Sequence, residues 1–236
     1  MEIDLVVFDM AGTTVHDDDA VNLSLQSALD EAGVTTGRDD INAVMGMPKP
    51  LAIQTLLARS GAPVTASDET ETVAAVHARF MDRMLRHYLH DPGVRECHGA
   101  TETFVWCRAR GIKTSLDTGF NRPIADAIIQ RLGWMGSAVL NATVTSDEVA
   151  RGRPHPDMIH RLMALTGVTD PTRVAKVGDT PVDIAQGHAA GCGLVVAITS
   201  GSHTADQLAR HHPTHLVADL RALRALLRPT APEEAV

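Results

Sequence analysis

An α/β fold built on a parallel sheet is what the sequence predicts, and three observations carry the prediction. Ile3 to Phe8 is an apolar run of strand length, the pattern of a strand covered on both faces. From Gly99 onward, short apolar runs alternate with helix-length stretches, the signature of βαβ units. Between them, from about Asp39 to His90, there is no strand pattern and three or four helices are marked. The expected architecture is a Rossmann-like parallel sheet core, residues 1–17 and 91–236, with an inserted α-helical cap, residues 18–90.

Each element has its own signal. The first strand stops at Asp9, Gly12 allows a sharp turn, and Thr13 and Thr14 add hydroxyls that can hold it. The acidic cluster His16-Asp17-Asp18-Asp19 offers a cap for a helix expected from Ala20 to Ala32, closed by Gly33. In the insertion, Ile41, Val44 and Met45 mark one helix, and Leu51, Ile53, Leu56 and Leu57 a second. Val73, Val76, Phe80, Met84 and Leu85 mark a third. The stretch Asp91-Pro92-Gly93-Val94 punctuates the return to the core. Helices are then expected at 100–110, 122–132, 156–165, 181–190, 205–211 and 220–227. Strands are expected at 112–116, 138–140, 173–177, 193–198 and 214–217. The tail from Arg228 to Val236 is expected to fray.

Composition narrows the function classes. A chain of 236 residues, 44% hydrophobic and 21% charged, can bury a substantial core. Aromatic residues are only 3% of it, so aliphatic side chains must fill that core. A net charge of −8 argues against a nucleic-acid or anionic-membrane surface. An anionic substrate stays open, because a few local cations and a metal can dominate one site. Cys97, Cys107 and Cys192 are odd in number and lack metal-ligand spacing, as expected of free thiols in a reducing cytoplasm. No signal peptide is read at the start, and no apolar run reaches the ~18 residues of a membrane span.

Five stations carry candidate chemistry. Asp9 would sit at the carboxyl edge of the sheet, where open α/β folds bind ligands; read alone, it is also an ordinary capping residue. Thr118 and Gly119 follow a strand and open a helix, offering a hydroxyl and N–H groups to a phosphate or simply capping that helix. Arg153, in the rigid turn Gly152-Arg153-Pro154-His155-Pro156, presents a planar fork to phosphate oxygens or to water. Asp179 and Asp183 follow a strand end, and their spacing places both on one helix face. Hard oxygen ligands gathered there suit Mg²⁺, although helix capping would also account for them. Lys49, in Met45-Gly46-Met47-Pro48-Lys49, opens a helix where the dipole disfavours a cation; in isolation it reads as a solvated lysine.

In this order, these residues resemble the haloacid dehalogenase superfamily from Asp9 to about Ile198. The resemblance implies that Asp9 is the nucleophile, that Thr118 and Arg153 hold phosphate oxygens, and that Asp179 and Asp183 form the acidic motif. Most members carry a second aspartate two residues after the nucleophile; here that position is Ala11. That departure, the arginine and the Met45-Gly46-x-x-Lys49 segment are similar to the phosphonatase-like branch, in which the cap lysine forms a Schiff base. A histidine three residues after that lysine is replaced here by Ala52.

The resemblance therefore implies cleavage of the C–P bond of phosphonoacetaldehyde or a related carbonyl phosphonate. Lys49 would supply an iminium as electron sink, and Asp9 would attack phosphorus. Ala11, Gly12, Thr118, Gly119 and Arg153 would line the substrate. Mg²⁺ would be held by Asp9, the Ala11 carbonyl, Asp179 and Asp183, the last directly or at one remove. A homodimer is implied by the same likeness. Two other readings compete: a phosphatase acting on a small phosphate ester, and a binding protein without catalysis.

Overall fold

The computed structural model describes residues 2–61, 66–136 and 139–227. The chain opens with β1 (Leu5–Phe8) and then runs through four helices, α1 (Ala20–Asp30), α2 (Arg38–Asn42), α3 (Lys49–Ser60) and α4 (Ala66–His90). Alternation begins after them: α5 (Ala100–Arg108), β2 (Lys113–Thr118), α6 (Arg122–Arg131) and β3 (Ala142–Thr145). The second half adds α7 (Asp157–Thr166), β4 (Val174–Gly178), α8 (Pro181–Ala189) and β5 (Leu194–Ile198). It closes with α9 (Ala205–Ala209), β6 (His215–Val217) and α10 (Leu220–Leu223).

All strand pairs are parallel, in the order β3-β2-β1-β4-β5-β6. β1 lies in the middle, with Phe8 opposite Leu116 on one side and Val177 on the other. The carboxyl ends of β1, β2 and β4 are thus adjacent at the point where the strand order reverses, the ligand crevice of open α/β sheets. Val6 and Phe8 face the core shared with α5, α6 and α10, while Leu5 and Val7 face α7. This two-sided burial is why the strand reads as a continuous apolar run.

The helical segment packs on the same edge of the sheet. Val76, Phe80, Met84 and Tyr88 recur every four residues on α4 and are fully buried, a continuous apolar stripe. α4 lies along α1, α3 and the core helix α6. Among the described residues no helix is long and apolar enough to cross a membrane.

Two expectations need correction. The strand placed at 138–140 is β3 at Ala142–Thr145, and Ala138 itself lies outside the described residues, as does the tail 228–236. The real strand is Ala-Thr-Val-Thr; its β-branched threonines favour a strand although they read as polar. Nor do Asp179 and Asp183 share a helix face. Thr180 caps α8 and Pro181 begins it, because proline suits the first helical position, which leaves Asp179 in the preceding loop.

Three of the seven aromatic residues meet in one group. Phe104 meets Phe8 and Trp134 edge to face, each at 5.2 Å between ring centres. All three are buried, so Phe104 ties β1 to the helices on that face. We expect Phe104→Ala to destabilise the protein by about 3–5 kcal/mol, read as a lower urea midpoint at unchanged slope.

Candidate active site

The turn after β1 is fixed before any ligand arrives. The amides of Thr13, Thr14 and Val15 all donate to the Met10 carbonyl, at 3.2, 2.8 and 2.8 Å. Thr14 Oγ1 donates to the Asp9 carbonyl at 2.8 Å, and the Asp9 amide donates to Val177 of β4 at 2.9 Å. Asp9 is therefore held as an extension of the sheet, with its carboxylate buried. Gly12 has φ +83°, and a Cβ there would overlap the Asp179 carboxylate. This glycine is required for both its conformation and the close approach.

Asp179 is held from two sides. Thr13 Oγ1 donates to its Oδ1 at 3.0 Å, and the Ser202 amide and hydroxyl both donate to Oδ2 at 2.7 Å. Burial nevertheless raises its pKa, and the charge on Asp183 adds to the effect. Asp9 behaves likewise: burial pushes it up to about 7, against the opposing pull of Arg153, with Asp183 and Asp179 adding to the rise.

Beneath the pocket floor lies a sealed charge cluster. Arg153 has no exposed side-chain surface; its Nη1 is 2.7 Å from Asp9 and 3.1 Å from Asp183, and its Nη2 is 2.5 Å from Asp117. Nη2 also donates to the Asp117 carbonyl at 2.8 Å. Lys176, equally buried, stands 2.5 Å from Asp117 and 3.0 Å from Asp183. Asp183 completes a reciprocal cap with Thr180, receiving its hydroxyl at 2.5 Å. Burial disfavours its charge, but Arg153 and Lys176 outweigh that and hold it below the usual carboxylate range.

The helical segment contributes the facing wall. Lys49 begins α3 and is buried, with Nζ 5.7 Å from the Phe80 ring centre and 5.6 Å from that of Phe120. Burial lowers its pKa to about 8, while Asp17 and then Asp9 pull it back up. The loop that delivers it sits backbone to backbone on the core: a Cβ on Gly119 would come within 2.8 Å of the Gly46 carbonyl and 2.9 Å of that of Met47.

A cavity of about 340 Å³ joins the two walls, lined by Asp9, Ala11, Gly12, Thr118, Gly119 and Arg153 below and by Asp17 and Lys49 above. The structure thus brings most of the sequence-derived residues together. Arg153 is not a solvated turn and Lys49 is not a solvated lysine. Thr118 does not cap α6, which Asn121 caps; its hydroxyl accepts the Phe120 amide at 3.1 Å. Asp183 lies behind the pocket wall. Sequence reasoning missed Asp117 and Lys176, and it took Asp17 only for a capping residue.

Two sets of oxygens invite a cation. The carboxylates of Asp9, Asp117 and Asp183 can each bring one oxygen within 4.8 Å of the others, but Arg153 and Lys176 already neutralise that group. On the pocket side, Asp9 and Asp179 carry raised pKa values beside the Ala11 backbone. Hard, incompletely compensated oxygen donors at an open pocket fit Mg²⁺.

Fold and pocket together define an α/β enzyme architecture whose polar residues converge at the carboxyl edge of a parallel sheet. Residues 3–191 match the haloacid dehalogenase-like hydrolase family model, and the chain belongs to that family. It is 29% identical to the phosphonoacetaldehyde hydrolase of Latilactobacillus sakei subsp. sakei over 213 residues, 85% of this chain and 77% of that protein. The phosphonoacetaldehyde hydrolase of Bacillus cereus is also 29% identical, over 86% of this chain and 78% of that protein. In structure it resembles a phosphonoacetaldehyde hydrolase-like protein from Oleispira antarctica, at TM-score 0.82 and 18% identity, over 96% of this chain and 91% of that one. A candidate phosphoglycolate phosphatase from Lactobacillus delbrueckii subsp. bulgaricus superposes at TM-score 0.78 and 18% identity, over 96% and 99%. The two structures attest the shared fold.

Mg²⁺ at one hundred times its dissociation constant is expected to stabilise the fold by about 2.7 kcal/mol. Thermal unfolding with and without Mg²⁺ measures this, and Asp179→Asn should abolish the increment. Because Asp9 must lose its proton to bind a metal and titrates at about 7, protons compete below that value. The increment should therefore shrink as the pH falls from about 8 to about 6.

Proposed function

We propose that this hydrolase cleaves the C–P bond of phosphonoacetaldehyde or a related small carbonyl phosphonate. The observation that carries the reading is the seclusion of Lys49, a buried amine with its pKa lowered to about 8, in one cavity with Asp9. Neutral amines add to carbonyls, and an amine in an apolar wall is neutral more often than one in water. The names of the two curated relatives support the same substrate class.

In this scheme Lys49 condenses with the aldehyde and releases water, leaving an iminium. An oxygen of Asp9 then forms a bond to phosphorus as the C–P bond breaks, and that electron pair moves into the iminium to give an enamine. Water next cleaves the aspartyl phosphate, and a second water frees the aldehyde from Lys49. Thr118, the Gly119 amide and Arg153 orient the phosphonate oxygens. Asp9, the Ala11 carbonyl and Asp179 would hold Mg²⁺, with Asp183 acting at one remove through Thr180 and Arg153. When bound, the ion neutralises charge between carboxylate and phosphonate.

Ala11 is consistent with this chemistry, because an enamine leaving group needs no acid at that position. A phosphate ester would require one for its alkoxide, which makes phosphatase activity the weaker reading. Residues 18–90 would act as a cap on a core made of 1–17 and 91–236.

Only three lysines occur in the chain, Lys49, Lys113 and Lys176, so covalent trapping is easy to map. Borohydride added during turnover of phosphonoacetaldehyde should leave a two-carbon adduct on Lys49. Phosphate release should fall by at least about a thousandfold in Lys49→Arg and in Asp9→Asn. Brisk release of phosphate from esters by Lys49→Arg would instead establish the phosphatase.

A further inference from the structure

We propose that Asp17 is the acid–base group that serves Lys49, carrying the proton when the imine forms and when it is hydrolysed. This rests on the Schiff-base reading above and adds a second group to it.

Asp17 lies on the segment between the β1 turn and α1 and lines the same cavity as Lys49 and Asp9. Its carboxylate is the uncommitted one of the acidic run. Asp18 is paired with Arg95 and His16, and Asp19 with Arg38 at 2.7 Å. Asp9 is engaged by Arg153, and Asp179 by Thr13 and Ser202. The hydrogen bond that Asp17 makes is accepted by Oδ1 from the Val21 amide at 3.2 Å. Among the described residues Oδ2 has no hydrogen-bond partner, and it stays available to reacting atoms.

The groups around Asp17 are otherwise engaged or act on it only through charge. Lys49 on α3, Asp179 in the loop after β4 and Asp19 on its own segment act on its charge. His16 also lines the cavity, but its Nδ1 is held by Asp18 at 2.8 Å and Arg95 at 3.0 Å. Tyr88 on α4 and Cys97 also feel its charge. Burial keeps the Tyr88 phenol neutral and pushes the Cys97 thiol up to about 12, so neither exchanges protons near neutrality. His77 on α4 feels the charge of Lys49 but does not line the cavity. Ala52, one turn along α3, has nothing to titrate. Burial raises Asp17 to about 6, within reach of neutral pH for both giving and taking a proton.

The proton ledger closes. Neutral Lys49 adds to the carbonyl carbon. Asp17, as the acid, gives a proton to the oxygen and recovers one from the nitrogen, leaving a neutral carbinolamine. Asp17 then protonates the hydroxyl. Water departs, the nitrogen lone pair closes the C=N bond, and Asp17 remains as carboxylate. After C–P cleavage a solvent proton adds to the enamine carbon and restores the iminium. In hydrolysis the Asp17 carboxylate takes a proton from the water that attacks the iminium, passes it to the nitrogen, and receives the hydroxyl proton as the C–N bond breaks. The aldehyde and neutral Lys49 are released, and Asp17 returns to its acid form.

The test uses acetaldehyde, which lacks a phosphonate, and cyanoborohydride, with peptide mapping of the adduct on Lys49. Asp17→Asn keeps the acceptor for the Val21 amide and removes the titratable group. Losing its charge also lowers the Lys49 pKa, so a purely electrostatic role predicts trapping as fast as in the wild type or faster at neutral pH. Proton transfer predicts trapping slower by at least about tenfold. It also predicts loss of the rate dependence near pH 6, with partial recovery in Asp17→Glu. Equal or faster trapping by Asp17→Asn would overturn the role of Asp17 and leave Lys49 standing. No adduct on Lys49 in the wild type would overturn both.

Discussion

Arg153 is a cation without water, and the site depends on how it is held. Its guanidinium touches carboxylates of Asp9, Asp117 and Asp183, which come from the ends of β1 and β2 and from α8. Lys176 closes the group from β4. Three anions and two cations thus tie adjacent strands together at the carboxyl edge. Removing one partner of such a buried set costs on the order of 3–5 kcal/mol, because the remaining charge has nowhere to go. The same network bears on the reactivity above it. Burial raises the proton affinity of Asp9, Arg153 opposes that rise, and Asp183 adds to it.

The opposite wall of the cavity works by different physics. Lys49 lies between two aromatic faces, and although Asp17 and Asp9 pull its pKa up, desolvation outweighs them and makes the amine a weaker base. One cavity therefore holds a carboxylate that resists losing its proton and an amine that resists gaining one.

Much of this was legible in the sequence because strand ends are conspicuous. Asp9 and Asp179 each follow a largely apolar run and Thr118 follows a shorter, more polar strand signal, and the topology brings those ends together. The burial of Arg153 was not legible, since a Gly-Arg-Pro turn looks like surface. Asp117 and Lys176 were hidden inside strands, where polar residues are easily passed over. Yet Lys176 stands between Ala175 and Val177 in a run with the marks of a central strand, and a buried lysine demands a partner. That demand was a signal for Asp117. Asp17 was obscured by its neighbours: three consecutive aspartates read together as a cap for the next helix, and only the fold shows that Arg95 and Arg38 claim two of them. β3 was misplaced because its threonines look like loop.

The loop that carries Lys49 has an unusual mooring. Gly46 lies against Thr180 and Val182, Pro48 against Gly152, and the carbonyls of Gly46 and Met47 against Gly119. Glycine in two core loops, at 119 and 152, makes room for it, so the position of the amine is encoded largely outside the segment that contains it. The helical block is consequently not an interchangeable module. Grafted onto a homologous sheet with side chains at 119 or 152, it would keep its own fold and lose the address of its lysine.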